Sequence, residues 1–338
     1  MISYVWADHL PLHAGRGGTE TFTIGHIREL NERGIPSRVI SIGLGKNDGR
    51  EYYPDIEFVD FKSPEELSEL DDTLIYVNYP FNIPTKRQSY AFFHYPPLDS
   101  RSVIDPPCYK KRLHPSTIIL TNSRYLRSVW ADELDINPNK IHIVYPFADP
   151  VFARVKRPKR TWERTRVLFA GRLLPDKGIF LFLEALHHTI LENGFTFTIT
   201  TAGNQTPIGA SIQKLLEMHP KVRLVEACTT PSEMAKLYAK HDIVTLPSNH
   251  QYWHEAFGMV SVEAQHAGCK VIASNADGLP ETNCGELILF KPGNSYDLAK
   301  KIVAAAKTGP ILPEQRADSV THFTRAQSVD LLLKALKY

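Results

Sequence analysis

Short runs of β-branched and aromatic residues recur along the chain, separated by longer amphipathic stretches, and the same alternation appears on both sides of one basic segment. Strands spaced this way pair in parallel, because each return to the sheet must carry a helix across its face. In the first half the candidate strands are ISYVWA, SRVISIG, TLIYVNY, SYAFFHY, STIILTNS and KIHIVYP. Between them lie helical periods such as TETFTIGHIRELNERG, with a threonine near its start, apolar Phe22, Ile27 and Leu30, and Gly34 as a stop. The segment 150–166, PVFARVKRPKRTWERTR, is basic, broken by Pro158 and without apolar period, and reads as a linker. Beyond it the alternation resumes with RVLFAG, TFTITTAG, VRLVEA, DIVTLPS, KVIAS and ELILF, with helices expected over 179–193, 211–219, 232–240 and 257–267. The expected fold class is α/β: two Rossmann-like, doubly wound domains in tandem, facing across a cleft, with ligands collected at the carboxyl ends of the strands. Residues 1–150 form the first domain and 151–321 the second, with a last helix over about 322–338 packing back on the first.

A length of 338 residues suffices for two such cores. Hydrophobic residues at 43% and charged residues at 22% exclude a disordered chain, and a formal charge of +2 offers no global attraction for nucleic acid. Cys108, Cys228, Cys269 and Cys284 never fall in a C-x-x-C pair, so neither a zinc site nor a redox pair is indicated. The start, MISYVWA, lacks the basic and apolar regions of a secretory signal, and no apolar run reaches the roughly 20 residues that span a bilayer. The expected location is the cytoplasm, with any membrane contact peripheral, at the inner face.

The stretch PSNHQYWHEAFGMVSVEAQHAGCKVIASNADGLPET carries the most chemistry. After the strand DIVTLPS comes a polar and aromatic loop with Glu255, then a helix ending at Gly268. The amides of Phe257, Gly258, Met259 and Val260 would be the open donors of its first turn, and with the positive end of the dipole they suit a diphosphate. Glu263 lies eight residues after Glu255. Were both helical, they would stand about 12 Å apart along the axis, beyond the roughly 5 to 9.5 Å of glycosidase pairs. Such carboxylates suit the two ends of an extended ligand, sugar hydroxyls at one and ribose hydroxyls at the other. The blander alternative is a capping Glu255 and a solvated Glu263. Upstream, RVLFAGRLLPDKG sets Gly171 and Arg172 at a strand end and Lys177 and Gly178 at the next helix start, where two cations can neutralise a leaving diphosphate without a metal or other cofactor. The alternative there is an ordinary charged loop.

Taken in order, FAGRLLPDKG, HEAFGMVSVEAQHAG and DGLPE resemble the donor-domain signature of the family 4 glycosyltransferases, retaining enzymes of GT-B fold. GRGGTETF is similar to that family's N-terminal glycine loop and AFFHYPP to its histidine-bearing strand end, so the resemblance covers most of the chain. It implies that Glu255 contacts hydroxyls of the donor sugar, Glu263 holds the ribose, and Arg172 and Lys177 take the phosphates with the amides of 257–260. It also implies that Gly17 and Gly18 approach the diphosphate and sugar, and that His94 lies beside the reacting sugar as a positioning group. Alone, Gly15, Gly17 and Gly18 match neither a dinucleotide fingerprint nor a Walker loop. VYPFADPVF keeps Pro146, Asp149 and Phe152 but lacks the family's Asn-Gly, and Glu226, Ala227 and Cys228 stand where members carry a glycine near the base pocket. The base is therefore not inherited.

The expected activity is transfer of a hexosyl-type sugar, with retention, from a nucleotide-diphosphate sugar to a hydroxyl acceptor: a glycan, a lipid-linked molecule or a small molecule. An epimerase or phosphorylase on the same scaffold, or a non-catalytic nucleotide-sugar binding protein, are the alternatives. The run Lys110, Lys111 and Arg112 would suit a phosphorylated lipid or an anionic membrane, but the simpler reading is a solvated loop, since no amphipathic helix with a large apolar face accompanies it. Sugar, acceptor and oligomeric state are left open.

Overall fold

The computed structural model describes residues 1–338 except 9, 14–16, 98–108, 160–162, 192, 250 and 252–253; Gly15 and Cys108 thus lie outside the described residues. The chain divides into two compact units, one of Met1–Pro146 with Arg325–Tyr338, the other of Phe147–Thr324.

The first unit contains strands β1 (Ile2–Trp6), β2 (Ser37–Ile42), β3 (Phe58–Phe61), β4 (Thr73–Val77), β5 (Ser89–Phe93), β6 (Ile118–Thr121) and β7 (Ile141–Ile143). They form one sheet in the order β3-β2-β1-β4-β5-β6-β7, and every pair is parallel. All six strands read from the sequence are present. β3 was not foreseen: FVDF is four residues long and half-buried throughout, so it lacks the apolar run of a strand covered on both faces. The helix Gly18–Glu32 follows β1 and buries Phe22, Ile24, Ile27 and Leu30. Gly34, at φ +75°, ends it.

The last helix, Arg325–Leu336, belongs to this first unit and lies on the helix Gly18–Glu32. Arg325 pairs with Glu29 and Glu32, both at 2.9 Å, and Arg33 with Asp330 at 2.6 Å. Beneath them His26 is fully buried, its Nε2 2.7 Å from the Ser328 hydroxyl, which itself donates to the Tyr145 carbonyl at 2.5 Å. Because that hydroxyl spends its proton on the carbonyl, Nε2 is the donor of the pair and Nδ1 accepts from the Tyr4 hydroxyl at 3.0 Å. Burial holds the imidazole neutral, well below its ordinary value, with His94 adding to the effect.

The second unit contains β8 (Thr165–Phe169), β9 (Phe195–Thr200), β10 (Val222–Val225), β11 (Ile243–Leu246), β12 (Lys270–Ser274) and β13 (Leu287–Phe290), in the order β10-β9-β8-β11-β12-β13, again all parallel. Each matches an expected run. The core joins Val167, Phe169, Phe182, Ile199, Ile243, Ile272 and Ile302. Helix bounds differ more. The helix expected over 179–193 is Ile179–Leu186 followed by a 3-10 turn, and the one expected over 211–219 starts at Pro207, where Thr206 caps the Gly209 amide at 3.0 Å. Those expected over 232–240 and 257–267 run Pro231–Ala239 and Met259–His266.

The expected linker is corrected as well. Asp149 caps a short helix, Pro150–Arg154, through the Val151 amide at 2.8 Å, and Arg157 donates to the carbonyls of His241 at 2.6 Å and Ala267 at 3.0 Å. Segment 150–159 is therefore fastened to the second unit, because its arginine supplies strong donors to two of that unit's carbonyls. Among the described residues no helix is long and apolar enough to cross a membrane.

Candidate functional site at the switch point of the second sheet

Strand order in the second sheet reverses direction between β8 and β11, and the residues that follow these two strands meet there. β8 leads through Ala170 to Gly171 and Arg172; β11 leads through Pro247 to Ser248 and Asn249. The loop after β8 is tied down by the Leu173 amide on the Ala202 carbonyl at 2.6 Å and the Lys177 amide on the Leu174 carbonyl at 3.1 Å. Gly178, at φ +74°, lets this loop lie against the end of β11: a Cβ there would come within 1.7 Å of the Pro247 carbonyl oxygen. That close approach brings Lys177 to Ser248.

Lys177 Nζ forms an ion pair with Glu255 Oε1, and the Ser248 hydroxyl donates to the same oxygen at 3.1 Å. Asp176 Oδ2 stands 3.4 Å from the ammonium. The Lys177 and Glu255 side chains keep 17% and 19% of their exposure, so the pair is sheltered yet open to a ligand. Arg172 is exposed and has no ion-pair partner among the described residues. Two residues assigned separately from the sequence, one to phosphate and one to sugar, thus occupy one cluster.

Glu255 is neither a helix cap nor helical. The helix begins at Met259 with Gly258 as its N-cap at φ +98°, where a Cβ would come within 2.6 Å of Leu279 Cδ2. The axial spacing expected for two helical carboxylates does not apply, and of the four amides assigned to the first turn only those of Met259 and Val260 lie within it. They have no carbonyl one turn back to bond. Phe257 and Gly258 precede the helix, and Phe257 is buried.

Glu263 sits one turn into the helix, half-buried, with the Tyr238 hydroxyl donating to Oε2 at 3.4 Å. Removal from solvent pushes its carboxyl up to about 7; the Tyr238 hydrogen bond works against that and the Asp149 charge adds to it. It is thus no solvated surface glutamate. Tyr238, wholly buried, was not singled out from the sequence, nor were Ser248 and Asp277. Asp277 accepts from the Glu255 amide at 3.2 Å and lies 2.9 Å from His254 Nδ1. Its stretch, DGLPE, marked a resemblance, but nothing in its spacing shows which loop it holds.

The remaining candidates belong to the first unit. Gly17 is the extended N-cap of the helix Gly18–Glu32, and both glycines are exposed at a helix start without a side-chain cap. His94 follows β5 and is buried, its ring stacked on Phe92 at 4.4 Å and edge-on to Phe22 at 4.8 Å. Its amide donates to Asn78 Oδ1 at 2.8 Å and its carbonyl accepts from Asn122 Nδ2 at 3.2 Å. Burial pushes the imidazole down to about 3, so at neutral pH it carries no charge. Lys110, Lys111 and Arg112 are exposed, on the short helix Tyr109–Arg112 and not in the expected loop. Among the described residues no group of three His, Cys, Asp or Glu is placed to hold a metal ion.

Residues 164–308 match a protein-family model described as Glycosyl transferases group 1. The D-inositol 3-phosphate glycosyltransferase of Corynebacterium glutamicum (strain R) is 26% identical over 207 residues, 56% of this chain and 48% of that protein. The chain spans about half or less of the length of the curated relatives it matches. Among solved structures, a glycosyltransferase from Rickettsia africae ESF-5 superposes with a TM-score of 0.76 at 18% identity, covering 99% of this chain and 97% of that one. Anabaena HepE in complex with UDP and glucose superposes with a TM-score of 0.70 at 17% identity over 100% of each chain.

Proposed function

We propose that this chain, a family 4-like glycosyltransferase of GT-B fold by its matched residues 164–308 and its structural neighbours, transfers a hexosyl-type sugar from a nucleotide-diphosphate donor to a hydroxyl acceptor with retention and without a metal. The observation that carries the reading is the cluster at the β8/β11 switch point, where Lys177, Glu255 and Ser248 meet, with Gly171, the residue before Arg172, lying against Lys177. In this reading Glu255 takes the donor sugar's hydroxyls and Glu263 the ribose. Arg172, Lys177 and the amides of Met259 and Val260 face the diphosphate. The bond from the anomeric carbon to phosphate oxygen breaks as the acceptor oxygen adds on the same face, and the acceptor's proton passes to the leaving phosphate. The two cations and the helix amides then stabilise that phosphate's charge, the usual work of fixed dipoles and charges at a developing anion. HepE, a neighbour of the same fold, holds UDP and glucose, which supports a nucleotide-sugar donor.

The test is a screen of nucleotide sugars for thermal stabilisation, followed by mass spectrometry and proton NMR of the products. A donor at 100 times its Kd stabilises by about 2.7 kcal/mol, enough to detect. Transfer is expected to persist in EDTA and the fresh product to keep the donor's anomeric configuration. Loss of transfer in EDTA with rescue by manganese or magnesium, or an inverted anomer, would refute the mechanism.

Glu263 also sets a pH dependence. Its carboxyl titrates near 7 in the free protein, above its ordinary 4.5, so its contribution to stability is full below 4.5 and is lost as pH rises through 7. Ribose hydroxyls bond best to the ionised form, so donor affinity is expected to rise between pH 6 and 8, with proton release on binding at the lower end. A nucleotide sugar is the right probe, since its two phosphates do not titrate in this range. Calorimetry in two buffers of different ionisation enthalpy checks it: affinity flat from pH 6 to 8 in the wild type, or an equal rise in Glu263→Gln, overturns the assignment.

A further inference from the structure

The loop that carries Glu255 follows β11, yet its backbone is held by a different segment, the turn after β12. Asp277 Oδ2 accepts from the Glu255 amide at 3.2 Å, and the Gly278 amide donates to the Glu255 carbonyl at 2.9 Å. Both polar groups of this one peptide position are thus taken by two successive residues, which fixes where its side chain starts. Asp277 Oδ1 also lies 2.9 Å from His254 Nδ1, so one carboxylate gathers two consecutive residues. Gly278 makes the approach possible, for a Cβ there would come within 2.1 Å of the Ala256 carbonyl oxygen. Asp277 itself takes φ +54°, a left-handed conformation that is strained for an ordinary side chain. A residue kept in that conformation while its carboxylate spans two neighbours is doing something a glycine could not.

We propose that Asp277 is a positioning residue for Glu255: it orients the loop so that the Glu255 carboxylate meets Lys177 and Ser248 and is presented to the donor sugar. The proposal rests on the assignment of Glu255 to the sugar end. A carboxylate displaced by about 1 Å can cost about 10²-fold in rate, while nucleotide contacts made elsewhere, by Glu263 and the helix amides, are untouched.

Asp277→Gly removes the carboxylate without straining the backbone, since glycine takes the left-handed conformation freely, and the variant should stay folded at the assay temperature. Its kcat for transfer is expected to fall by about 10- to 100-fold with the Kd for the bare nucleotide diphosphate within about threefold of wild type, and Asp277→Asn, which keeps one acceptor, should recover part of the rate. Exchange of the Glu255 amide, read by hydrogen–deuterium mass spectrometry, should quicken at least about tenfold in Asp277→Gly whether or not any donor is turned over. A wild type that transfers no sugar while the Glu255 amide still quickens sinks the functional reading and leaves the positioning intact. Unchanged amide exchange, an unchanged kcat, or a kcat loss matched by loss of nucleotide affinity or by unfolding at the assay temperature overturns the positioning role.

Discussion

Lys177→Ala and Arg172→Ala are each expected to lower kcat for sugar transfer by about 10²- to 10³-fold, the loss seen when one aimed donor is removed from a developing anion, about 2.7–4 kcal/mol. The two variants should differ in everything else. Arg172 is exposed and pairs with no acid among the described residues, so its loss should leave the melting temperature unchanged. Lys177 is sheltered and paired, so its loss leaves Glu255, among the described residues, with the Ser248 hydroxyl and should lower stability as well, without preventing folding. Single-turnover rates with saturating donor, measured beside thermal melts, separate the two. A folded Arg172→Ala protein with the wild-type rate removes Arg172 from the phosphate; the same result for Lys177→Ala reduces its pair with Glu255 to a structural strut.

Both sheets were legible in the sequence because strands of a parallel sheet are covered on both faces and must read as apolar runs. The run KVIAS, with all five residues buried, is the clearest case. FVDF was invisible for the opposite reason: an edge position leaves its residues half-buried, and four of them make no period. Helix starts are legible where a cap residue and proline announce them, as Thr206 and Pro207 do ahead of the first apolar period. At Gly258 nothing local shows that the glycine is an N-cap at φ +98° and not the second residue of the first turn. That shift takes Phe257 and Gly258 out of the helix and leaves fewer amides for a phosphate. Within the site, the charged residues were found from motif spacing, while Ser248, Tyr238 and Asp277 were not. Ser248 meets Glu255 within one irregular loop, and the other two reach their partners from other elements, Tyr238 on Glu263 across 25 positions and Asp277 on the Glu255 amide across 22; no periodicity records such contacts.

Glu255 and Glu263 are expected to fail in opposite ways. Glu255→Gln keeps the size of the side chain and removes the charge that Lys177 and Ser248 now share, so hydroxyls of the sugar lose a charge-assisted acceptor worth about 1.5–3 kcal/mol, or about 10- to 100-fold in transfer rate. The bare nucleotide diphosphate has no sugar to offer that carboxylate, so its Kd should stay within about threefold of wild type. Glu263→Ala removes a carboxyl that burial already holds near 7 and orphans the Tyr238 hydroxyl, itself fully enclosed. If that carboxyl takes the ribose, the nucleotide loses its anchor, and the Kd for the bare diphosphate should rise by about 10- to 100-fold while transfer at saturating donor stays nearer wild type. Calorimetry with the nucleotide diphosphate and initial rates at saturating nucleotide sugar, run on both variants, decide the matter. A Glu255→Gln protein that loses nucleotide yet transfers normally at saturation, or a Glu263→Ala protein that binds nucleotide as well as the wild type, would show that the two carboxylates do not divide the donor in this way.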